Sequence, residues 1–155
     1  MADLPPLKDT IATHGLAAKK GLGQHFLLDL NLTRKIAGLT EIGNNDTVVE
    51  VGPGPGGLTR ALLETGAKVI AVERDARIIP VMDELSEAWP NQLTTIETDA
   101  LTYDETQVAP SGSVIASNLP YNISTELLVK WLTVSPRWWT RMVLMFQREV
   151  GDRIL

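Results

Sequence analysis

From Thr47 onward, short β-branched runs alternate with stretches of helical spacing, and no other feature of the chain constrains its fold as much. Thr47–Val51 reads as a buried strand ending in glycines, Leu58–Leu63 as the helix after it, and Lys68–Glu73 as a second strand. Asp75 is the expected N-cap of a helix running to about Ala88. Pro80 lies inside that helix and lacks a backbone donor, which predicts a kink or a late start. Leu93–Glu97 and Ser113–Ser117 read as the third and fourth strands. Ser124 can cap a helix carrying Leu127, Leu128, Val129, Trp131 and Leu132, and Arg141–Gln147 reads as a fifth strand, with residues 148–155 starting another helix. Ahead of this series lie an arm without clear periodicity (residues 1–22), a short amphipathic helix from Asp29 to Leu39, and a turn at Gly43-Asn44-Asn45-Asp46. Strand–helix alternation implies an α/β fold: a mostly parallel, doubly wound, Rossmann-like sheet covered on both faces. Ligands of such sheets bind at the carboxyl ends of the strands, where strand order reverses.

Each strand end carries a candidate. After the first comes Gly52-Pro53-Gly54-Pro55-Gly56-Gly57, in which Gly52, Gly54 and Gly57 satisfy G-x-G-x-x-G. A tight turn with no ligand would look the same. The two prolines remove donors, which suits a nucleoside edge better than a pyrophosphate. Glu73 ends the second strand, 21 residues after Gly52, where a carboxylate can accept both ribose hydroxyls of an adenosine. Asp99 follows the third strand and could accept from an adenine amino group, although a turn cap is the commoner role for it. Asn118-Leu119-Pro120-Tyr121-Asn122 follows the fourth. Pro120 holds the residues before it extended, so the Asn118 amide oxygen and the Leu119 carbonyl can accept from one exocyclic amino group. Tyr121 offers a face for base stacking. A proline turn beside a core tyrosine is the plain alternative.

Composition narrows the classes. The chain has 155 residues and no cysteine, so it fits one domain and excludes disulfides and thiolate metal sites. No apolar run approaches a membrane span, and Asp3 with Pro5-Pro6 stands where a secretory signal would be basic and then apolar. A cytoplasmic protein without a metal is expected. The net charge of −5 argues against a large RNA-binding surface. Lys8, Lys19, Lys20, Arg34 and Lys35, against Asp3, Asp9 and Asp29, still make the first forty residues locally basic.

Gly23-Gln24-His25-Phe26-Leu27, Glu50-Val51-Gly52-Pro53-Gly54, Val72-Glu73-Arg74-Asp75, Thr98-Asp99-Ala100 and Asn118-Leu119-Pro120-Tyr121-Asn122 occur in one order and spacing. Together they resemble the ribosomal RNA adenine N6-dimethyltransferases of the KsgA type, relatives of the Erm enzymes that act on large-subunit rRNA. The likeness covers roughly residues 15–155. It implies a methyltransferase domain over 23–155 that uses S-adenosylmethionine and dimethylates two adjacent adenosines near the 3′ end of small-subunit rRNA. The implied partner is the immature small subunit, met by a monomer. Carried over by position, His25 and Leu27 go to the cofactor's methionine end and entrance. Gly52 and Gly54 lie against the cofactor, Glu73 on its ribose and Asp99 on its adenine amino group. Asn118, Leu119, Pro120 and Tyr121 serve the methyl donor and the target base. His25 stands where the family often has Asn, so a backbone contact is expected of it, not general-base chemistry. Family members continue with two more strands, a second base-clamping aromatic and a small helical C-terminal domain, so the chain reads as the N-terminal part of a longer protein.

Other classes remain open on the residues alone. A nicotinamide-dependent oxidoreductase fits the glycines and Glu73 but leaves Gly23–Leu27 and Asn118–Tyr121 without a role. A non-catalytic ribosome-assembly or RNA-binding factor, an Erm-like large-subunit enzyme, and a cofactor-binding half-domain inactive by itself are the others. Trp138 and Trp139 are expected to pack under the fifth strand or to face whatever follows it.

Overall fold

The computed structural model describes residues 29–119 and 121–146. Asp29 caps helix α1 (Leu30–Leu39) by accepting from the Asn31 and Leu32 amides at 2.9 and 3.3 Å. After it come β1 (Thr47–Val51), α2 (Gly57–Glu64), β2 (Lys68–Glu73), α3 (Ile79–Ala88), β3 (Leu93–Glu97), a 3₁₀ turn (Glu105–Gln107), β4 (Ser113–Asn118), α4 (Ser124–Thr133) and β5 (Trp139–Met145).

The strands form one five-stranded sheet in the order β3-β2-β1-β4-β5, and every neighbouring pair is parallel. Side chains of a strand alternate between the two faces, so each strand feeds two cores. Val48, Val69, Ala71, Val114 and Ala116 pack with α1, α2 and α3 on one face. Val49, Val51, Ile70, Val72 and Ile115 pack with Leu127 and Trp131 of α4 on the other. The result is a three-layer Rossmann-like sandwich. Successive strands step from β1 to β3, and the chain then returns across β1 to lay down β4, so the order reverses between β1 and β4.

The predicted strands stand, with small shifts. β4 runs one residue further, to Asn118, and β5 begins earlier, at Trp139. The expected strand end at Gln147, the helix over 148–155, the 1–22 arm, and His25, Leu27 and Pro120 lie outside the described residues. Two expected caps are corrected. Asp75 does not cap α3: the helix starts late, at Ile79, with Pro80 in its first turn where no donor is needed. Asp75 closes the preceding turn, taking the Arg77 amide at 2.9 Å and pairing with the Arg77 guanidinium at 2.7 Å. Ser124 is already helical, and its hydroxyl reaches back to the Tyr121 carbonyl at 3.2 Å.

Trp138 and Trp139 pack rather than wait for a partner. Trp138 is buried in the α4-side core. The Trp139 indole donates to the Trp131 carbonyl at 2.8 Å while Arg137 lies over its ring. β5 is also tied to α1, because Arg141 donates twice, at 3.1 and 2.8 Å, to the Thr40 carbonyl at the end of that helix. Arg34 of the basic segment pairs with Glu64 at 3.0 Å. No helix among the described residues is long and apolar enough to cross a membrane.

Candidate cofactor site at the strand ends

A cleft of about 470 Å³ opens at the carboxyl ends of the strands, the size range of small-molecule sites. Gly52 lines it from the β1 loop, Glu73 and Arg74 from the end of β2, Thr98 and Asp99 from the end of β3, and Asn122 and Ile123 from the loop after β4. Gly52, Glu73 and Asp99 were expected together, and they are together.

The β1–α2 loop can make this wall because its glycines take conformations other residues avoid. Gly52 and Gly54 have φ of 69° and 55°. The Gly52 amide donates to the Val72 carbonyl at 2.9 Å, which sets the loop against β2. The Gly56 amide closes the turn onto the Pro53 carbonyl at 3.0 Å. Of the last two glycines, Gly56 carries the conformational demand, with φ 93°, while Gly57 simply opens α2.

Glu73 is partly buried, and burial pushes its carboxyl above the usual carboxylate range. Backbone amides of Asp75, Arg74 and Gly54 pull it back, and the nearby Asp75 charge raises it. The Asp75 amide lies 3.0 Å from its Oε2. A carboxylate so held is oriented before any ligand arrives. Asp99 serves as the turn cap considered for it, with Oδ1 accepting the Leu101 amide at 3.0 Å, and it also lines the cleft. Its Oδ2 is 3.8 Å from Nη1 of Arg74, whose side chain is largely exposed.

Asn118 ends β4 and Leu119 follows it, and neither of them lines the cleft, nor do Gly54 and Tyr121. The Ser117 hydroxyl donates to the Val51 carbonyl at 2.5 Å and so clamps the ends of β1 and β4 together at the reversal point. The Leu119 amide continues the ladder to the Met145 carbonyl at 3.2 Å and its side chain is buried, which fixes the backbone there. Tyr121 is 51% exposed, a free aromatic face and not a core tyrosine. Among the described residues no group of three or more His, Cys, Asp or Glu is placed to hold a metal ion.

Some residues in or near the cleft carried no expected role, Arg74, Asn122 and Glu50 among them. Arg74 and Asn122 sat inside quoted motifs, one step past a strand end and in the loop after β4, and that placement was the available signal. Glu50 is 2% exposed in mid-strand and accepts from the Thr59 hydroxyl at 2.5 Å. Burial pushes its carboxyl up to about 8, Thr59 opposes the shift, and Glu73 adds to it. A charged residue inside a β-branched run was its signal.

Comparison with known proteins agrees with this geometry. Ribosomal RNA small subunit methyltransferase A of Maricaulis maris is 57% identical over 98% of this chain and 54% of its own length. The protein of the same name from Phenylobacterium zucineum is 58% identical over 97% of this chain and 53% of its own. The chain thus spans about half the length of these relatives. Among solved structures, a dimethyladenosine transferase from Plasmodium falciparum superposes with a TM-score of 0.68 at 33% identity, over 81% of this chain and 44% of that one. The 23S rRNA methyltransferase ErmE shares the fold, with a TM-score of 0.69 at 24% identity over 80% of this chain and 48% of its own. The family model described as ribosomal RNA adenine dimethylase matches residues 15–155, across every strand end described above. With its Rossmann-like methyltransferase sheet and its strand-end motifs in register, the chain belongs to the ribosomal RNA adenine dimethylase family.

Proposed function

We propose that the chain is the cofactor-binding and catalytic part of an enzyme that transfers methyl groups from S-adenosylmethionine to N6 of two adjacent adenosines near the 3′ end of small-subunit rRNA, during ribosome biogenesis in the cytoplasm. One observation carries the reading. Glu73 and Asp99, at the ends of adjacent strands, line one cleft with Gly52, and Asn122 and Ile123 of the loop that follows Asn118 line it too. An adenosine in this cleft would place its ribose hydroxyls toward Glu73 and its adenine amino group toward Asp99. The bound cofactor supplies an electrophilic methyl on a sulfonium. A nicotinamide dinucleotide fits less well, because Pro53 and Pro55 remove amides a pyrophosphate would use.

This chain's part in the chemistry is positioning. The N6 lone pair of adenine is delocalised into the ring and is a poor nucleophile. Two acceptors, the Asn118 side chain and the Leu119 carbonyl, hold its hydrogens out of the base plane and localise that lone pair. Fixed carbonyl dipoles then favour the positive charge that develops on N6. Tyr121 receives the unstacked base, whose extrusion costs a few kcal/mol. Asn118→Ala, assayed in the full-length protein on immature small subunits, is expected to abolish transfer while S-adenosylmethionine affinity stays within about threefold. Unchanged turnover would remove Asn118 from the mechanism. The relatives' name supports the small subunit as partner, and the protein is taken to act as a monomer.

A further inference from the structure

Outside the cleft, a polar cluster joins α4 to the turn after β3. Lys130, on the last turn of α4, sends its ammonium to the Ala100 carbonyl at 2.7 Å, the Tyr103 carbonyl at 2.6 Å and Glu105 Oε1 at 3.0 Å. An ammonium has three protons, so its donors are matched. Glu105 is 4% exposed, and its other oxygen accepts the indole N–H of the fully buried Trp131 at 2.7 Å. Such a pair is weak evidence for stability, since apolar residues fill buried space as well. Its location is more informative. Both carbonyls belong to the turn that follows Asp99, and the Thr102 and Tyr103 amides close that turn onto the Asp99 carbonyl at 3.2 and 3.1 Å. Ala100 itself lines the cleft. The opposite end of α4 begins directly after Asn122 and Ile123, which also line the cleft.

We infer that Lys130, with Glu105 behind it, is a positioning residue for the cofactor's adenine: it pins the Ala100–Tyr103 backbone so that Asp99 keeps its carboxylate aimed at the exocyclic amino group, and it ties that wall through α4 to the loop following Asn118. The inference rests on the S-adenosylmethionine reading above and deepens it. A lysine with a merely structural role would affect stability alone. A positioning lysine sets the preference for adenine over a purine that presents an acceptor at the same place.

The test measures binding of S-adenosylhomocysteine and S-inosylhomocysteine by calorimetry, with thermal midpoints alongside. The second ligand carries an oxygen where adenine has its amino group, so Asp99 should repel it. The unaltered chain is expected to prefer S-adenosylhomocysteine by about tenfold or more, and Lys130→Met to bring the two ligands to within about threefold. Should Lys130→Met fail to fold because Glu105 is left charged and buried, the double variant Lys130→Met with Glu105→Gln removes both charges, keeps an acceptor for Trp131, and carries the same expectation. A variant that melts earlier yet keeps the full preference overturns the inference. An unaltered chain that binds neither ligand overturns the cofactor reading itself, a different result from an unchanged preference.

Discussion

At the scale of single residues, Glu50 and Glu73 show how a carboxylate's surroundings set its part. Glu50 holds its proton up to about pH 8 when folded, against an ordinary value of 4.5. Between those limits the unfolded chain binds fewer protons than the folded one, so Glu50 makes stability fall as pH rises from about 4.5 to about 8, with no further change outside that window. Glu50→Gln keeps an acceptor for Thr59 and removes the titration. It is expected to raise stability at pH 7 by up to roughly 3 kcal/mol and to flatten the pH dependence of urea unfolding across the window. Equal slopes in the two proteins would contradict this. Glu73 is also shifted upward by burial, but its amide donors and, in the proposed complex, ribose hydroxyls favour the charged form. Cofactor affinity should therefore fall as pH drops through its raised value. Glu73→Ala should lose about 10- to 100-fold in S-adenosylmethionine affinity, the range for hydrogen bonds to a charged group, and should lose the pH dependence with it. Glu73 was legible because it ends a strand at a set distance from a glycine loop. The cation of Lys130 and its partner Glu105 were not: they meet across 25 residues of sequence that include all of β4 and most of α4, a tertiary contact no local pattern dictates.

Among the elements, starts and stops were harder to read than existence. β2 is bounded where its apolar run is, because a parallel strand buried on both faces must be apolar almost throughout, and the edge strand β3 was legible from its short β-branched run alone. The two misread caps share a cause. An Asp or Ser ahead of a helical stretch can serve the turn before the helix equally well, and Pro80 and the Tyr121 carbonyl decide the matter at positions the cap rule does not weigh. Element spacing also explains the glycine loop. Gly56 stands where α2 passes α3, with φ 93°, and a Cβ there would come within 2.7 Å of Leu85 Cδ1. Gly56→Ala is expected to cost about 1–3 kcal/mol, mainly from the left-handed backbone since a leucine methyl can move, and to displace the loop that holds Gly52 and Gly54. A midpoint in urea unchanged from the parent would show that the loop tolerates another conformation.

On the scale of the whole molecule, the sheet order decides where chemistry can occur. Reversal between β1 and β4 leaves a crevice at their carboxyl ends, the Ser117–Val51 hydrogen bond holds its edges together, and the two strand-end carboxylates, Glu73 and Asp99, line it. That much followed from alternation and motif order. How the Asn118 loop meets the cleft did not, because the sequence places Asn118 and Tyr121 in the site without showing that Asn122 and Ile123 form its wall. A ligand that binds only this folded arrangement raises stability by mass action, by about 2.7 kcal/mol at a hundred times its dissociation constant. The most direct test is to titrate S-adenosylmethionine into the folded chain by calorimetry, with NADH in a parallel titration. Saturable binding of S-adenosylmethionine at one site per chain, with NADH silent and a matching rise in thermal midpoint, is the predicted result. Binding of NADH by a folded chain that ignores S-adenosylmethionine would contradict it.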